Sequence, residues 1–220
     1  MRRMGTHIIT RYNSLLFFLV ALLITVGCAH KKTIGGFNAN EWFEMGRQAS
    51  IDNRLDKALD AFNKAIELDP KVATAYVNRG RTNYHLGNYH QAIADYDKII
   101  ELDPKGTETY VNRGYAYHYL GNHKQAIADY DKAIELDPNN IHTYVSRGGV
   151  YVKLGDHKQG IADYNKAIKL NAEFPLAYYN RGLAYRALGN HNQAMTDLKI
   201  AARLGLKEAQ DYLKQQGIAW

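Results

Sequence analysis

The sequence predicts an all-α protein in which five helical pairs are stacked in a row and followed by a capping helix. Two repeated segments predict this fold. The letters YVNRG at 76–80 return at 110–114, then as YVSRG at 144–148 and as YYNRG at 178–182, a step of 34 residues. The segment AIADYDKAIELDP at 126–138 has counterparts that begin at 58, 92, 160 and 194. A step of this length is typical of arrays in which each repeat is one pair of helices.

The first element, residues 1–27, is predicted to be a secretory signal. Arg2, Arg3 and Arg11 precede the apolar run SLLFFLVALLITVG at 14–27. This order is that of a signal peptide, and the run is shorter than the roughly 20 residues that a spanning helix needs. We therefore expect the chain to be exported.

Cys28 follows the apolar run and is the only cysteine of the chain, which excludes an intramolecular disulfide. The letters TVGC at 25–28 resemble the lipobox of bacterial lipoproteins, although Thr25 stands where an aliphatic residue is usual. The resemblance implies a lipid anchor on Cys28. Because Ala29 and not an Asp follows, it also implies the outer membrane, with the protein facing the periplasm. An ordinary signal peptide or an uncleaved membrane anchor is the alternative.

Residues 28–38 are predicted to tether the array to the membrane, because they contain two glycines, two lysines and little apolar content. Removal of residues 1–27 takes away three arginines and lowers the formal net charge from +6 to +3. No run of consecutive basic residues is longer than KK at 31–32. Nucleic acid is therefore not an expected partner.

The five predicted units share a length of 34 residues and are 39–72, 73–106, 107–140, 141–174 and 175–208. Each is predicted to hold two amphipathic helices. Within 126–134, apolar residues recur at helical spacing on one side and charged residues on the other. Gly114 and Ala126 should let the two helices of a unit approach closely, with Tyr117 and Tyr130 filling the space between neighbouring units.

Each unit is predicted to turn between its helices at LGN or LGD, and glycine tolerates the left-handed backbone that ends a helix. The residue after the glycine is expected to cap the second helix, and these residues are Asn88, Asn122, Asp156 and Asn190. Prolines that cannot continue a helix end the first three units at Pro70, Pro104 and Pro138.

Both ends of the array differ from its middle, as they must, because a terminal repeat would otherwise expose the face that its neighbours bury. The last unit has Leu198 where the others have Tyr or Phe, and it runs into KEAQDYLKQQG at 207–217. We predict a capping helix and tail over 209–220. The first unit has Trp42 at the aromatic position and IDN at 51–53 in place of LGN.

The order aromatic, Gly, Tyr, Ala, aromatic, Ala and Pro within one unit resembles the tetratricopeptide repeat. In the third unit these residues are Tyr110, Gly114, Tyr117, Ala126, Tyr130, Ala133 and Pro138. The resemblance covers about 170 residues of the chain. It implies a right-handed superhelical solenoid of helix-turn-helix units, in which the first helix of each unit lines a concave groove.

Four arginines are each followed sixteen residues later by an aspartate, in the pairs Arg79 and Asp95, Arg113 and Asp129, Arg147 and Asp163, and Arg181 and Asp197. The first unit lacks both members, with Met45 and Ala61 at these steps. Because the two residue types occur and disappear together, we predict structural ion pairs between the two helices of a unit. Such a pair specifies helix register more than it stabilises.

In units 2 to 5 a polar residue stands two positions before the glycine of the first helix. These residues are Asn78, Asn112, Ser146 and Asn180. In some tetratricopeptide proteins a ladder of such asparagines holds the backbone of an extended peptide, and the resemblance implies this role here. A side-chain amide suits the task, since it offers donors and an acceptor to any peptide bond. A solvated polar surface is the alternative.

The resemblance also implies further groove residues, which are Arg81, Tyr84, His85, Tyr115, His118 and Tyr119, with Glu108, His142, Val152, Lys153 and Arg186. Tyrosines offer a large rigid contact area and a hydroxyl group. Packing between the repeats is the alternative role for them.

Catalytic chemistry finds no support in the sequence, because phosphate-binding loops and nucleophile motifs are missing. His123, His157 and His191 recur at the repeat step and therefore should not converge on one metal. No enzyme activity, cofactor, metal or small-molecule substrate is expected. The carboxylate clamp of chaperone-binding relatives is also not expected, because Phe43 and Glu108 stand where that clamp has lysines.

The predicted function is that of a non-catalytic adaptor or scaffold, anchored to the bacterial envelope, that holds a protein or peptide partner in its groove. The resemblance implies a task such as pilus or secretin assembly, or recruitment of a protease or hydrolase. A permanent structural subunit of a membrane complex, a homo-oligomer and an uncleaved signal-anchored array are the alternatives.

Overall fold

The computed structural model describes residues 33–220, so the predicted signal segment and Cys28 lie outside the described residues. The described part confirms the predicted all-α array of helical pairs. Eleven helices follow one another: α1 (Ala39–Ile51), α2 (Leu55–Leu68), α3 (Ala73–His85), α4 (Tyr89–Leu102), α5 (Thr107–Tyr119), α6 (His123–Leu136), α7 (Ile141–Lys153), α8 (His157–Leu170), α9 (Pro175–Ala187), α10 (His191–Arg203) and α11 (Lys207–Gln215).

Odd-numbered helices up to α9 are the first helices of the five units, and even-numbered helices are the second. Each helix packs most extensively against its partner in the same unit and then against the next helix along the chain. Successive first helices also touch one another, whereas contacts between successive second helices are sparser in residues 33–220. The first helices therefore lie on the inside of the curve and form its concave surface.

The core of each unit is a large side chain of the second helix seated on a glycine of the first. Tyr130 is buried beneath Gly114, where an added Cβ would lie 2.7 Å from its ring. Tyr96, Phe62 and Leu198 fill the same place in other units. The glycine thus opens a space for Tyr130 within its own unit, and Tyr130 shares a core cluster with Val150 of the next unit.

The turns inside the units depend on a left-handed residue, as the LGN pattern predicts. Gly87, Gly121 and Gly189 each have φ +79°. In the first unit Asn53 takes this backbone, with φ 57°, so Asp52–Arg54 and not IDN at 51–53 stands in register with LGN. Asparagine is one of the few residues that tolerate this region without glycine's freedom.

The predicted capping side chains are mostly not used. Asp156 accepts a hydrogen bond from the backbone N–H of Gln159 at 3.1 Å, but Asn88, Asn122 and Asn190 do not cap their helices with their side chains. The backbone does not account for the difference, because Asp156 has ψ 69° and the three asparagines have ψ 60–66°. Their own N–H groups instead close the turn, as in the 2.8 Å bond from Asn88 to the carbonyl of Asn83.

The segment just before α1 is folded, which shortens the predicted tether. Ile34 and Phe37 exchange two backbone hydrogen bonds around a glycine pair, and the Nε1–H of Trp42 donates to the carbonyl of Ile34 at 2.9 Å. Phe37 packs edge-on against Trp42, and Asn38 and Glu41 form a capping box. Trp42 thus holds residues 34–38 against the array, because its indole needs both an apolar cover and a hydrogen-bond acceptor.

The C-terminal end is closed by α11, which begins at Lys207, two residues before the predicted start of the cap. Ala209 and Leu213 are buried against Leu198 of the last unit. The remaining surface of α11 is polar, as a solvent-facing cap requires. Within the described residues, none of the helices has the length and apolar content needed to cross a bilayer.

Candidate functional site

The concave surface carries two adjoining depressions at its N-terminal half. The first lies between units 1 and 2 and has a volume of about 520 Å³. Its lining mixes polar and apolar side chains and consists of Arg47, Ser50, Ile51, Asn53, Leu55, Asn78, Arg81, Thr82 and His85. Four of the predicted groove residues meet here: Asn78, Arg81 and His85 directly, and Tyr84 at the border with the second depression.

The second depression lies between units 2 and 3 and has a volume of about 200 Å³. It is lined by Arg81, Tyr84, His85, Tyr96, Glu108, Asn112 and Tyr115. Arg81 and His85 belong to both depressions, so the two are continuous along the groove. Seven residues that the sequence placed in the groove therefore surround one surface, namely Asn78, Arg81, Tyr84, His85, Glu108, Asn112 and Tyr115.

The four residues of the predicted ladder are not equivalent. Asn78 donates from its side-chain amide to the carbonyl of Thr74 in its own helix at 2.8 Å. Ser146 donates to the carbonyl of His142 at 2.8 Å and lies 2.8 Å from the hydroxyl of Tyr115. The side-chain amides of Asn112 and Asn180 make no hydrogen bond with another of the described residues. These two amides are the ones whose donors and acceptor are all available to a bound segment.

A cluster of four tyrosines borders the second depression. Tyr89 and Tyr119 stack with centroids 5.3 Å apart and an interplanar angle of 14°, and Tyr84 meets both edge-on at 5.6 and 5.7 Å. Tyr115 lies 6.5 Å from Tyr84. Burial and the adjacent tyrosines raise the pKa of Tyr84, so that its hydroxyl is neutral at physiological pH.

Tyr89 is the member of this tyrosine cluster that sequence reasoning missed. It begins a second helix, and a search confined to first helices passes over it. Tyr119 is 60% exposed, so the stacked pair presents an aromatic surface to solvent at the groove border. Tyr84 therefore packs between repeats, whereas Tyr119 remains exposed at the groove border.

Histidines continue the groove beyond the tyrosine cluster. His118 and His123 face each other with ring centroids 5.2 Å apart. Burial, then His123 and Lys153, lower the pKa of His118, so the neutral form is favoured. Within residues 33–220 no three His, Cys, Asp or Glu side chains are placed to hold a metal ion together.

The predicted arginines and aspartates contact each other across the two helices of each unit. Arg113 donates from Nε and Nη2 to the two carboxylate oxygens of Asp129 at 2.9 and 2.6 Å. Arg147 and Arg181 hold Asp163 and Asp197 with the same fork geometry, at 2.6–2.9 Å. Two parallel bonds of this kind fix the guanidinium plane and hence the register of the helices.

Each of these arginines also reaches the second helix of the preceding unit, a contact that sequence reasoning missed. Nη1 of Arg113 donates to Asp97 at 2.6 Å. The equivalent acceptors in the other units are Asn63, Asp131 and Asn165. Every arginine therefore joins three helices and two units. Because the acceptor is Asn in two units and Asp in the other two, the letters alone did not mark it as a constant partner.

The arginine and the aspartate of such a contact differ in how many charged partners they have, and this difference determines the direction in which each pKa is shifted. Burial works against the charged form of Arg113, but the bonds to Asp129 and Asp97 outweigh it and raise the pKa of Arg113. Burial raises the pKa of Asp129, and its bond to one guanidinium offsets this only in part. The arginine gains from two carboxylates and the aspartate from one cation, which accounts for both directions. A structural role, and not ligand binding, is the one this enclosed geometry serves.

The other predicted groove residues are spread along the remaining first helices. Arg186 donates to the hydroxyl of Tyr212 at 2.9 Å and covers its ring, so the cap occupies it. Glu108 lies 4.0 Å from Arg81. His142 packs edge-on against Phe174, while Lys153 is exposed and Val152 packs in the core of its unit.

Models of the tetratricopeptide repeat match residues 49–111, 107–140, 148–189 and 176–204, which together make up more than half of the chain. The chain belongs to the tetratricopeptide repeat family. The features described above are thus those of this family: the helix pairs, the glycines against which a large side chain of the second helix packs, and the left-handed turns. No protein of curated function matches the chain.

Solved structures of tetratricopeptide proteins share the fold. A crystal structure of MamA is 28% identical and superposes with a TM-score of 0.69, covering 76% of this chain and 97% of MamA. MamA from Desulfovibrio magneticus RS-1 is 18% identical with a TM-score of 0.71, over 79% and 97% of the two chains. YrrB, described as having an unusual peptide-binding site, is 22% identical with a TM-score of 0.65, over 80% and 92%.

Proposed function

We propose that this tetratricopeptide protein is a non-catalytic adaptor that holds an extended segment of a partner protein in its concave groove. The observation that carries the proposal is the continuous surface formed by the two depressions, where Asn112, Arg81 and the tyrosine cluster border one trough. Amides, cations and aromatic rings arranged along a trough are the groups that bind peptide backbone and side chains. The peptide-binding site described for YrrB supports this role.

The proposal extends to the site of action, the bacterial envelope. It is supported by the signal-like order of residues 1–27 and by the lipobox resemblance at Cys28. Several acyl chains, each CH₂ contributing about 0.8 kcal/mol, would hold the protein on the outer membrane, facing the periplasm. A short tether would keep the groove close to that membrane, where pili, secretins or envelope hydrolases are assembled or recruited.

Affinity capture from solubilised envelopes tests the adaptor role. The bait is the full chain, beside a variant with Asn112→Ala and Asn180→Ala and a matched control with Asn122→Ala and Asn139→Ala. The control residues are exposed asparagines of turns. We expect the groove variant to lose a partner that the wild type and the control retain, with helical circular dichroism unchanged in all three. If all three baits retain the same partners, the groove is not the binding surface, and a permanent complex or the convex face accounts for binding.

A mass measurement of the mature protein tests the anchor separately. A lipidated Cys28 adds the mass of its acyl groups and leaves a chain that begins at residue 28, whereas an uncleaved anchor leaves residues 1–27 in place. Cys28→Ser should abolish the added mass and release the protein from membranes. Membrane association that survives this substitution would refute the lipid anchor without affecting the adaptor role.

A further inference from the structure

The first depression is basic although the part of the array around it is acidic. Residues 33–140 contain 12 Lys and Arg and 16 Asp and Glu, a formal charge of −4. The lining of the depression nevertheless includes Arg47 and Arg81 and no acidic side chain. Two arginines that face one trough raise the local potential and attract an anion. The charge of this surface therefore departs from that of its surroundings, which indicates a specific ligand chemistry.

Neither arginine is committed to a strong internal ion pair. Arg81 lies 4.0 Å from Glu108, and both side chains are more than half exposed, so that solvent screens the attraction. Arg47 bonds to Glu44 of its own helix at 2.8 Å with both side chains exposed, a type of pair that contributes little. Arg79, two residues before Arg81, is by contrast held by Asp95 and Asn63. The groove arginines are thus free to exchange partners.

An aromatic surface lies one unit further along the same groove. Arg81 borders both depressions, and the second is bordered by Tyr84 and Tyr115 with the stacked Tyr89 and Tyr119 beside them. Packed helices lie about 8–10 Å apart, and an extended chain advances about 3.3 Å per residue. The step from the basic depression to the tyrosine cluster therefore corresponds to about three residues of an extended segment.

The occupant is not the N-terminal segment of the chain itself. Residues 1–32 contain five Lys and Arg and no Asp or Glu, so the two arginines repel this segment. A partner segment with negative side chains is complementary to the depression. The depression lies in a trough, next to the free amide of Asn112 and the stacked rings, which suits a peptide better than a flat anionic surface.

We infer that the groove recognises an extended acidic segment of a partner protein in which an aromatic residue lies about three positions from the acidic residues. The acidic side chains lie against Arg47 and Arg81, and the aromatic side chain packs on the tyrosine cluster. The inference rests on the proposed function and specifies which partners it selects. It also places the acidic part of the bound segment at units 1 and 2.

The test uses the full chain in detergent and a fluorescent peptide, acetylated and amidated, with two adjacent aspartates and a phenylalanine three residues further on. Companion peptides replace both aspartates by asparagine or the phenylalanine by alanine. Arg81→Glu is compared with Lys98→Glu, which makes the same change in charge at an exposed lysine of α4 paired with Glu101. Circular dichroism verifies that both variants retain the helical fold.

We expect the acidic peptide to bind at least tenfold more tightly than the asparagine peptide, and the alanine peptide to lose affinity. Arg81→Glu should abolish the preference for aspartate, Lys98→Glu should leave it within twofold, and high salt should weaken it because the screening length falls to about 3 Å at 1 M. If the aspartate and asparagine peptides bind equally and Asn112→Ala weakens the binding of both, the acidic preference is refuted but the groove remains the binding site. Absence of binding by any peptide, or Arg81-dependent binding of single-stranded RNA alone, would overturn the inference.

Discussion

Replacement of Gly148 by Ala should destabilise the array, whereas the same change at the adjacent Gly149 should stabilise it. A Cβ at Gly148 would lie 2.8 Å from Cε1 of Tyr164 and 3.1 Å from the carbonyl oxygen of Gly160. Tyr164 is 2% exposed and is therefore enclosed by its neighbours. A Cβ at Gly149 would meet only the hydroxyl of Tyr164, at 3.9 Å. One added methyl group should therefore have opposite effects on the stability of the array at these two neighbouring residues of α7.

The magnitudes follow from two effects. Both exchanges remove a glycine from the interior of a helix, which favours folding by about 0.5–1 kcal/mol. At Gly148 alone, the added methyl group overpacks the interface between α7 and α8 and costs about 1–3 kcal/mol. Since the helix effect is common to both variants, the difference between their unfolding free energies should equal the overpacking cost of about 1–3 kcal/mol.

Urea unfolding followed by helical circular dichroism measures this difference, with thermal melting as a second readout. For a chain of this size, a change of 1 kcal/mol shifts the melting temperature by about 2–4 °C. A similar shift of both variants in the same direction would refute the reasoning. It would mean that Tyr164 is not confined beneath Gly148 and that the glycine serves the helix turn or the groove instead.

Three further variants test the charges. Asp97→Asn should cost no more than about 1 kcal/mol, because this carboxylate is half exposed and an amide fills the same step in two other units. Asp129→Ala should cost about 3–5 kcal/mol, since it leaves a largely buried guanidinium without its two-point partner; equal melting temperatures for these two variants would contradict both. Burial, His123 and Lys153 lower the pKa of His118 from 6.5. The contribution of neutral His118 to the free energy of unfolding should therefore be complete above pH 6.5 and should be lost as the pH falls through and below that value. His118→Val should therefore reduce the loss of stability seen in urea unfolding between about pH 7.5 and about pH 5, and an unchanged pH profile would exclude His118 as its source.

Most of the fold could be predicted because the repeat step places equivalent residues in equivalent surroundings. The helices α3, α5, α7 and α9 begin at the predicted starts of their units, residues 73, 107, 141 and 175. Glycine, alanine and tyrosine recur at fixed steps, and each makes packing contacts within its own unit. The segment at 34–38 escaped prediction because no other unit has a counterpart, and its fold depends on the backbone bonds between Ile34 and Phe37 and on their contacts with Trp42.

The candidate site could be predicted only in part, because its contacts cross from one unit to the next. Asn78 and Asn112 occupy the same step, yet one amide bonds its own helix and the other does not. Tyr89 joins the groove from a second helix, where the pattern of first helices gives no signal. Contacts of this kind depend on how successive units are oriented and on each neighbouring side chain, which a repeat pattern does not contain.

The chemistry of the groove lies in the steps at which the repeats differ. The repeat position of Arg113 holds an arginine in every unit from the second onward, and the contacts of these arginines are structural. One residue after the glycine, the letters change with every unit, in the order Arg47, Arg81, Tyr115, Gly149 and Leu183. Since the backbone at this step is the same in each unit, the groove changes from cationic to aromatic and then to small and apolar along its length. A segment of uniform composition cannot match such a gradient, whereas an acidic segment that turns aromatic matches it in only one direction.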